Sequence, residues 1–192
     1  MPYPAQIDES QIVDQAWQLV DQVGERNFSL AKLAAALGVK APSLYRHVGG
    51  KADLLRRVNL RTLEALFARL QTAVHKDRDE PEAALLSLFR AYRNFAHTHP
   101  HLYQLLFHAD DQYRPDEALL VQMVLPVQEQ IALLSGAAAA LPALRGALAL
   151  LHGFVMLELT NQLRRGGDLD AAFNAAAAAY LRGWQLQIKK DN

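Results

Sequence analysis

The residues best suited to recognising a charged partner are concentrated between positions 38 and 55, in the segment GVKAPSLYRHVGGKADLL. Lys40, Arg46, His47 and Lys51 supply cationic or hydrogen-bonding groups, and Tyr45 adds an aromatic hydroxyl among them. Side chains of these types contact the phosphates and base edges of nucleic acids. A solvated polar turn between two helices would contain the same residues, so residue type alone leaves both interpretations open.

The charge of the chain is unevenly distributed, although its 192 residues have a formal net charge of zero. Eight basic residues and a single acidic residue, Asp53, lie between Arg26 and Arg61, which gives that segment a net charge of +7. The remainder therefore carries −7. This asymmetry indicates that one part of the chain meets a polyanion. A solvated basic face would have the same composition.

The spacing of small and apolar residues around the segment predicts a helix-turn-helix. Ser29 can cap a short helix that ends at Gly38, where a tight turn needs a residue that tolerates positive φ. Ala34 permits a close helix crossing, and Pro42 begins a second short helix. The inner face of the pair is apolar, with Leu33, Leu37, Val39, Leu44 and Val48. The outer face then presents Ser43, Arg46 and His47, with Lys40 nearby. Together with the charge, this arrangement favours DNA binding over a structural hairpin.

The whole chain predicts an all-α fold of about nine helices, because apolar residues recur at helical spacing and strand patterns are missing. We expect helices over about 8–23, 29–37, 42–48, 51–75, 81–98, 100–109, 116–134 with a kink at Pro126, 142–165 and 169–188. The chain has no cysteine, and its N-terminal sequence MPYPAQIDES lacks the pattern of a signal peptide. No uninterrupted apolar run reaches the ~18 residues of a membrane span. We therefore expect a cytoplasmic protein without a membrane partner.

Three histidines, His97, His99 and His101, alternate around Pro100. Imidazole is a common metal ligand, so a metal site or a helical enzyme that uses these histidines is the alternative interpretation. Helix geometry argues against it, because residues two apart lie about 200° apart around a helix. We expect no metal, no cofactor and no catalytic residue.

The segment FSLAKLAAALGVKAPSLYRHVGGKADLL resembles the DNA-binding region of the TetR (tetracycline repressor) family of transcriptional regulators. The resemblance covers about 45 residues, from Ile12 to Arg56, and rests on a Ser cap, a Leu-Ala pair, a Gly-Val turn, Leu-Tyr-x-His and a following Lys. It departs from the family pattern at Val48, where Phe is more usual, and at Lys32, where an acidic residue is frequent. The resemblance implies phosphate contacts by Tyr45, His47 and Lys51. It also implies base-edge contacts by Ser43 and Arg46, Lys40 at the rim, and Ser29 as the cap.

The resemblance also implies a division into a helix-turn-helix DNA-binding domain, residues 1–50, and a ligand-binding and dimerisation domain, residues 51–192. The helix over about 51–75 connects them. An effector pocket is expected among residues of the second domain: Phe67, Tyr92, Phe95, His97, Tyr103, Phe107, Met123, His152 and Glu158. In the alternative interpretation these residues form an ordinary packed core.

The segments LHGFVMLELTNQL and YLRGW resemble the C-terminal region of the WHG-type TetR subgroup, in which two helices form a dimer interface. The alternative is a helix hairpin within a monomer. The interface residues implied are Leu148, Leu151, Val155, Ala172, Ala176, Ala179, Tyr180, Gly183 and Trp184. The resemblance implies a ligand-responsive regulator, a repressor rather than an enzyme. Its expected partners are double-stranded DNA with a palindromic operator, a small-molecule effector and a second copy of the chain.

Overall fold

The computed structural model describes residues 7–76, 79–107 and 111–191, and it describes no side chains at residue 76 or at residues 186–191. The described ranges contain nine α-helices and no strand, which confirms the all-α prediction. The helices are α1 Glu9–Val23, α2 Leu30–Ala36, α3 Ala41–Leu44, α4 Lys51–Lys76, α5 Pro81–Thr98, α6 Pro100–Leu106, α7 Glu117–Ser135, α8 Ala140–Leu159 and α9 Leu169–Asp191.

The predicted C-terminal end of α8 is wrong by six residues. We expected the helix to reach Arg165, but it ends at Leu159. Asn161 adopts a left-handed conformation with φ of 53°, and its N–H donates to the Glu158 carbonyl at 2.9 Å. The Gln162 N–H donates to the Leu157 carbonyl at 2.8 Å, which completes a Schellman cap. Glycine is the commonest residue at this capping position and asparagine also occurs there. Asn161 was therefore a usable sequence signal for the end of α8.

The chain forms two compact units by its internal contacts. The N-terminal unit contains Met1–Ala65 and His99–Asp116, and the C-terminal unit contains Leu66–Thr98 and Glu117–Asn192. These units describe packing, whereas the division at residue 50 assigns functions. That functional division stays a prediction.

In the N-terminal unit, α6 is held against α1 and α4 by polar contacts around an apolar core. His99 Nδ1 lies 2.7 Å from Asp21 Oδ2, and His101 Nδ1 lies 2.8 Å from the Asp21 carbonyl oxygen. The buried Asn59 amide donates to the carbonyl of Tyr113 at 2.9 Å. The core beneath these contacts contains Ile12, Ala16, Val20, Leu33, Leu44, Leu54, Leu55, Val58 and Leu102. The N-terminal unit is thus completed by α6, which is distant from α1 in the sequence.

The turn between α2 and α3 depends on Gly38. Its φ is +68°, its N–H donates to the Ala35 carbonyl at 3.1 Å, and the Val39 N–H donates to the Ala34 carbonyl at 2.9 Å. This Schellman cap redirects the chain into α3, whose four residues begin after Lys40 and include Pro42. We expected α3 to reach Val48, but the helix ends at Leu44. A turn follows, in which the N–H groups of His47 and Val48 donate to the Leu44 carbonyl.

In the C-terminal unit, Arg93 of α5 joins α8 and α9. Its guanidinium lies 2.6 Å from Glu158 Oε1 and 2.7 Å from Asp170 Oδ1, and the Phe173 ring centroid lies 4.9 Å from its central carbon. Burial raises the pKa of Glu158, but the hydrogen bonds from Arg93 and His97 outweigh it and hold that pKa below its ordinary value. The Glu158 side chain is only 4% exposed, so its charge depends on these partners.

Tyr180 of α9 fixes the position of α8. Its hydroxyl donates to the Ala143 carbonyl, and a Cβ atom at Gly146 would lie 2.5 Å from the hydroxyl oxygen. The absence of a side chain at Gly146 therefore permits this close approach. α7 and α8 are also long and apolar enough to cross a membrane by length and composition, a criterion that core helices of soluble proteins meet as well.

We predict that Gly38→Ala destabilises the N-terminal unit by about 1 kcal/mol, because a Cβ atom disfavours positive φ. Gly49→Ala is the matched control, since its φ is not positive and its Cβ atom would make ordinary contact with Asp53 at 3.6 Å. Urea unfolding followed by Trp17 fluorescence in a Trp184→Phe background measures both. Equal midpoints for the two variants would contradict the role of Gly38.

We predict that Arg93→Met destabilises the protein by about 3 kcal/mol, because it leaves the buried Glu158 carboxylate without its main partner. Combining it with Glu158→Leu should restore most of the loss, since both charges are then absent. Arg90→Met is the control, because Arg90 donates to the exposed Asn174 side chain at 2.7 Å. Urea unfolding followed by circular dichroism measures the series, and a double variant as unstable as Arg93→Met would refute the argument.

Candidate nucleic-acid interface

One side of the α3 segment is buried in the core, and the opposite side is therefore exposed. Leu44 and Val48 are 1% and 3% exposed, so they anchor the segment in the core. Tyr45 is 61% exposed, and Lys40 and Arg46 are also exposed. Five of the seven residues predicted to bind DNA thus lie within one short segment, positions 40–47: Lys40, Ser43, Tyr45, Arg46 and His47. Ser43 and His47 are half-buried there.

Ser29 is placed as the sequence predicted, at the N-terminus of α2. Its Oγ accepts a hydrogen bond from the Lys32 N–H at 3.2 Å. The Lys32 Nζ donates to the Asn27 carbonyl at 2.8 Å, so the side chain folds back across the preceding turn. The hydroxyl of Ser29 therefore satisfies one of the helix's unpaired N–H groups.

The basic segment is partly neutralised by acids that sequence analysis placed outside it. Arg61 Nε lies 2.9 Å from Asp14 Oδ1, and Arg57 pairs with Glu9; both acids belong to α1. Arg56 and Arg57 also pair with Asp53, at 2.6 Å and 2.9 Å. The arginines of α4 therefore hold α1 and α4 together, and only part of the +7 charge faces outward.

Four of the eight basic residues of the segment have no carboxylate within ion-pair distance in the ranges that the structure describes: Arg26, Lys32, Lys40 and Arg46. Such cations can pair with a phosphate or a base edge without first breaking an ion pair within the protein. Arg46 lies on the exposed side of the α3 segment, beside Tyr45. The outward electrostatic surface is therefore smaller than the sequence indicated but is centred on this segment.

Lys51 is more constrained than the sequence indicated. Its Nζ lies 2.8 Å from Glu25 Oε1 and donates to the Glu25 carbonyl oxygen at 3.2 Å. Its side chain is 38% exposed, so the ammonium group remains accessible to solvent. Glu25 lies before Arg26 in the short 3₁₀ turn after α1, and sequence analysis gave it no role. Ion pairs between residues 26 apart leave no local pattern.

Asp53 holds the start of α4 in place. Its Oδ2 accepts a hydrogen bond from the Gly49 N–H at 3.0 Å. Burial raises the pKa of Asp53, but the Gly49 N–H and the Arg57 guanidinium outweigh it, so the pKa lies below its ordinary value. A carboxylate in the first turn also interacts favourably with the helix dipole. The break at Gly49 and Gly50 is thus stabilised by the first turn of α4.

The C-terminal unit contains a cavity of about 170 Å³ among α4, α5, α7 and α8. Two predicted pocket residues, Phe67 and Tyr92, line it. Sequence analysis missed Arg145, which is the only charged side chain in the described lining.

The other predicted pocket residues lie elsewhere. His97 Nε2 lies 3.0 Å from Glu158 Oε2, and His97 lines a polar surface depression with Arg90. Tyr103 and Phe107 belong to the N-terminal unit, where the centroids of their rings lie 5.0 Å apart. Three further residues are absent from the described lining of the cavity: Phe95, Met123 and His152. Phe95 is fully buried, and burial lowers the pKa of His152 below its ordinary value.

The predicted dimer residues differ in how far they are buried within their own chain. Leu151 and Val155 are 4% and 0% exposed, so they pack inside their own chain and are not available to a partner; their place in the interface was wrong. Tyr180 is half-buried against α8. The remaining residues are exposed or half-buried: Leu148, Ala172, Ala176, Ala179, Gly183 and Trp184. Within α9, residues 172, 176, 179 and 183 share one face.

The three alternating histidines have separate partners. His97 contacts Glu158 in the C-terminal unit, whereas His99 and His101 contact Asp21 in the N-terminal unit. No group of three metal-binding side chains occurs within the described ranges. The structure therefore gives these histidines contacts that position helices.

Family models of known proteins match residues in both units. The model of bacterial regulatory proteins of the tetR family matches residues 12–58, and the model of the tetracyclin repressor-like C-terminal domain matches residues 85–180. An uncharacterized HTH-type transcriptional regulator from Mycobacterium tuberculosis is 33% identical over 176 residues, 88% of this chain and 78% of its own. Another, from Bacillus subtilis, is 28% identical over 186 residues, 95% of each chain.

A solved TetR structure from Acinetobacter baumannii, in complex with minocycline, has the same fold. It superimposes with a TM-score of 0.71 at 21% identity and covers 95% of this chain and 98% of its own. Assignment to the WHG-type subgroup stays a prediction. The family consists of transcriptional regulators and not of enzymes, so the helical-enzyme alternative is set aside. The chain, with its helix-turn-helix and all-α C-terminal unit, belongs to the TetR family of DNA-binding transcriptional regulators.

Proposed function

We propose that the chain is a cytoplasmic repressor that binds a palindromic operator as a homodimer and responds to a small molecule in its C-terminal cavity. The observation that carries the proposal is the exposed side of α3, where Lys40 and Arg46 have no carboxylate partner within the described ranges. Arg46 and Ser43 read base edges, and Tyr45, His47, Lys51 and Ser29 contact phosphates, with Lys40 at the rim. Two copies related by a twofold axis match the symmetry of a palindrome.

We predict that Arg46→Ala reduces discrimination between the operator and a site with one changed base pair, by about 1–3 kcal/mol at the position that Arg46 reads. A guanidinium pairs bidentately with guanine, and alanine offers no replacement. Fluorescence anisotropy with matched and single-substitution duplexes at one salt concentration measures this change. Arg114→Ala is the control. Arg114 is an exposed arginine of the same unit, but it pairs with Asp111 and is distant from α3 in the sequence. Unchanged discrimination by Arg46→Ala would refute its role as the base reader.

We predict that Lys40→Ala weakens binding to all duplexes equally and lowers the salt slope by about one. Lys51→Ala should lower the slope by less, because Glu25 already neutralises part of the Lys51 charge at 2.8 Å. Affinities measured over a series of salt concentrations give both slopes. Equal slopes for the two variants would show that the Glu25 ion pair opens on DNA.

An effector site in the C-terminal unit is supported by the partly open apolar cavity, since apolar clefts and cavities are the usual sites of small molecules. Phe67 and Tyr92, which were predicted as pocket residues, lie in the described lining of this cavity. The structural relative from Acinetobacter baumannii was solved in complex with minocycline, so a protein of the same fold binds a small molecule. Ligand binding then shifts the population between two dimer states with different spacing of the α3 segments.

The dimer is supported by an apolar face of α8 that the chain leaves exposed. Leu141 and Leu148 are 42% and 45% exposed and lie seven residues apart, so they share a face. The face of α9 that bears Ala172, Ala179 and Gly183 is exposed too, and its small residues permit close helix packing. Pairing these faces buries apolar surface that is otherwise in contact with water.

We predict that Leu148→Glu converts the dimer to a monomer at micromolar concentration, because it places charge at the centre of an apolar interface. Leu157→Glu is a closely matched control, since Leu157 is 43% exposed but lies on the opposite side of α8. Light scattering coupled to gel filtration measures the mass, and anisotropy measures operator affinity. A Leu148→Glu variant that remains dimeric would contradict the proposed interface.

A further inference from the structure

The wall of the C-terminal cavity indicates which class of ligand the cavity can hold. Of the fourteen residues in its described lining, only Tyr92 and Arg145 have polar side-chain groups. Neither group faces the cavity, because the accessible surface of the described wall consists of apolar atoms alone. Arg145 is exposed to solvent and borders the cavity only through apolar atoms. A ligand inside therefore finds no hydrogen-bonding group and no charge in the described wall.

Such a wall favours or penalises a ligand according to what the ligand loses when it leaves water. An ionised group inside the cavity would lose its hydration and gain no partner, which makes its transfer very costly. A hydroxyl or amide group would leave its hydrogen bonds with water unreplaced. Hydrocarbon surface gains free energy from the same transfer. The wall therefore selects molecules whose buried part has neither a charge nor a hydrogen-bonding group.

A polar depression of the same unit is a poorer ligand site, because its cations already have partners within the protein. Its lining includes Arg90 and Arg93. Arg93 lies 2.6 Å from Glu158 and 2.7 Å from Asp170. Arg90 Nε donates to the Asn174 side chain at 2.7 Å. A charged ligand in this depression would have to displace these partners, whereas an apolar ligand enters the cavity without breaking an ion pair.

The size of the cavity limits the ligand to a compact molecule. The volume of about 170 Å³ is close to that of an engineered apolar cavity of about 150 Å³ that binds benzene. A molecule of roughly six to eight carbon atoms fits a space of this size. Leu66, Leu88 and Phe89 of the lining are buried in the core, so a wider molecule would have to displace closely packed side chains.

We propose that the ligand of this cavity is an uncharged, compact hydrocarbon-like molecule of about six to eight carbons, of the size and polarity of an alkylbenzene. This inference rests on the proposed effector site and specifies the chemical class that the site binds.

Calorimetric titration of the native full-length protein with toluene and with benzoate tests the exclusion of charge. The two molecules have the same number of carbon atoms and differ in that a carboxylate replaces the methyl group. Toluene should bind at one site per chain, and benzoate should bind at least about tenfold more weakly, because its charge finds no partner in the wall. Arg145→Gln should alter neither affinity, since only apolar atoms of Arg145 border the cavity.

Substitutions in the wall test whether toluene occupies this cavity. Ala147 is buried in the lining, so Ala147→Leu fills part of the space and should weaken toluene binding at least about tenfold. Ala68→Leu is the matched control, because Ala68 is exposed on α4 outside the described lining, and it should leave toluene binding unchanged. Leu66→Ala enlarges the cavity. It should therefore strengthen binding of 1,3,5-triethylbenzene, which should bind the native protein more weakly than toluene.

Four results would overturn the proposal. The first two are benzoate binding as tightly as toluene, and 1,3,5-triethylbenzene binding the native protein more tightly than toluene. The third is toluene affinity that is unchanged in an Ala147→Leu variant with the native circular dichroism spectrum. The fourth is the absence of saturable toluene binding. If Ala147→Leu does not fold, the response of 1,3,5-triethylbenzene to Leu66→Ala decides the location, and an unchanged affinity overturns the proposal.

Operator affinity measured with and without toluene separates this inference from the proposed function. If the native protein binds operator but not toluene, the ligand class is wrong and the DNA-binding function stands. If toluene binds, Ala147→Leu prevents its binding, and operator affinity does not change with toluene, then the ligand class is right and the effector role of the cavity is wrong.

Discussion

The DNA-binding segment depends on the burial of one side of a helix too short to form alone. α3 has four residues, and isolated helices of that length are unstable in water. Its conformation is imposed by Leu44 and Val48, which are anchored in the core, and by the turn at Gly38. The side chains that face outward are therefore positioned by buried residues, and a change in the core is expected to move the proposed recognition surface.

The second constraint is electrostatic. The basic segment would repel itself if all its charges faced the same solvent, and acids of α1 remove part of that repulsion. Asp14 and Glu9 pair with arginines of α4, and Asp53 pairs with two of them while accepting the Gly49 N–H. The ion pairs also tie α1 to α4. Lys40 and Arg46 are left for a polyanion, so the same charge pattern stabilises the unit and defines its outward face.

Local signals predicted most of the fold, and long-range contacts account for what they missed. Helix starts at Ser29, Pro81 and Pro100 follow from caps and proline, which act over a few residues. The end of α8 was misplaced, because an apolar pattern was extended past the cap at Asn161. The buried face of the α3 segment correctly predicted that Arg46 is exposed, whereas Ser43 and His47, predicted on the same outer face, are half-buried. The Lys51–Glu25 pair and the place of Arg145 in the cavity depend on packing between distant segments, which periodicity does not record.

The composition of α8 requires more than one apolar environment. Ala143, Ala147, Leu151 and Val155 recur every four residues and face the interior of their own unit. Leu141 and Leu148 lie on another side and remain exposed. Lipid is a poor match for this helix, because Arg145 and Glu158 interrupt it and a charge in hydrocarbon is costly. In the proposed dimer a second copy of the chain covers these leucines, whereas the charge of Glu158 is already paired with Arg93 within its own chain. Leu148 lines the cavity and also lies on this exposed face, so in the proposed dimer the cavity and the partner chain adjoin the same turn of α8.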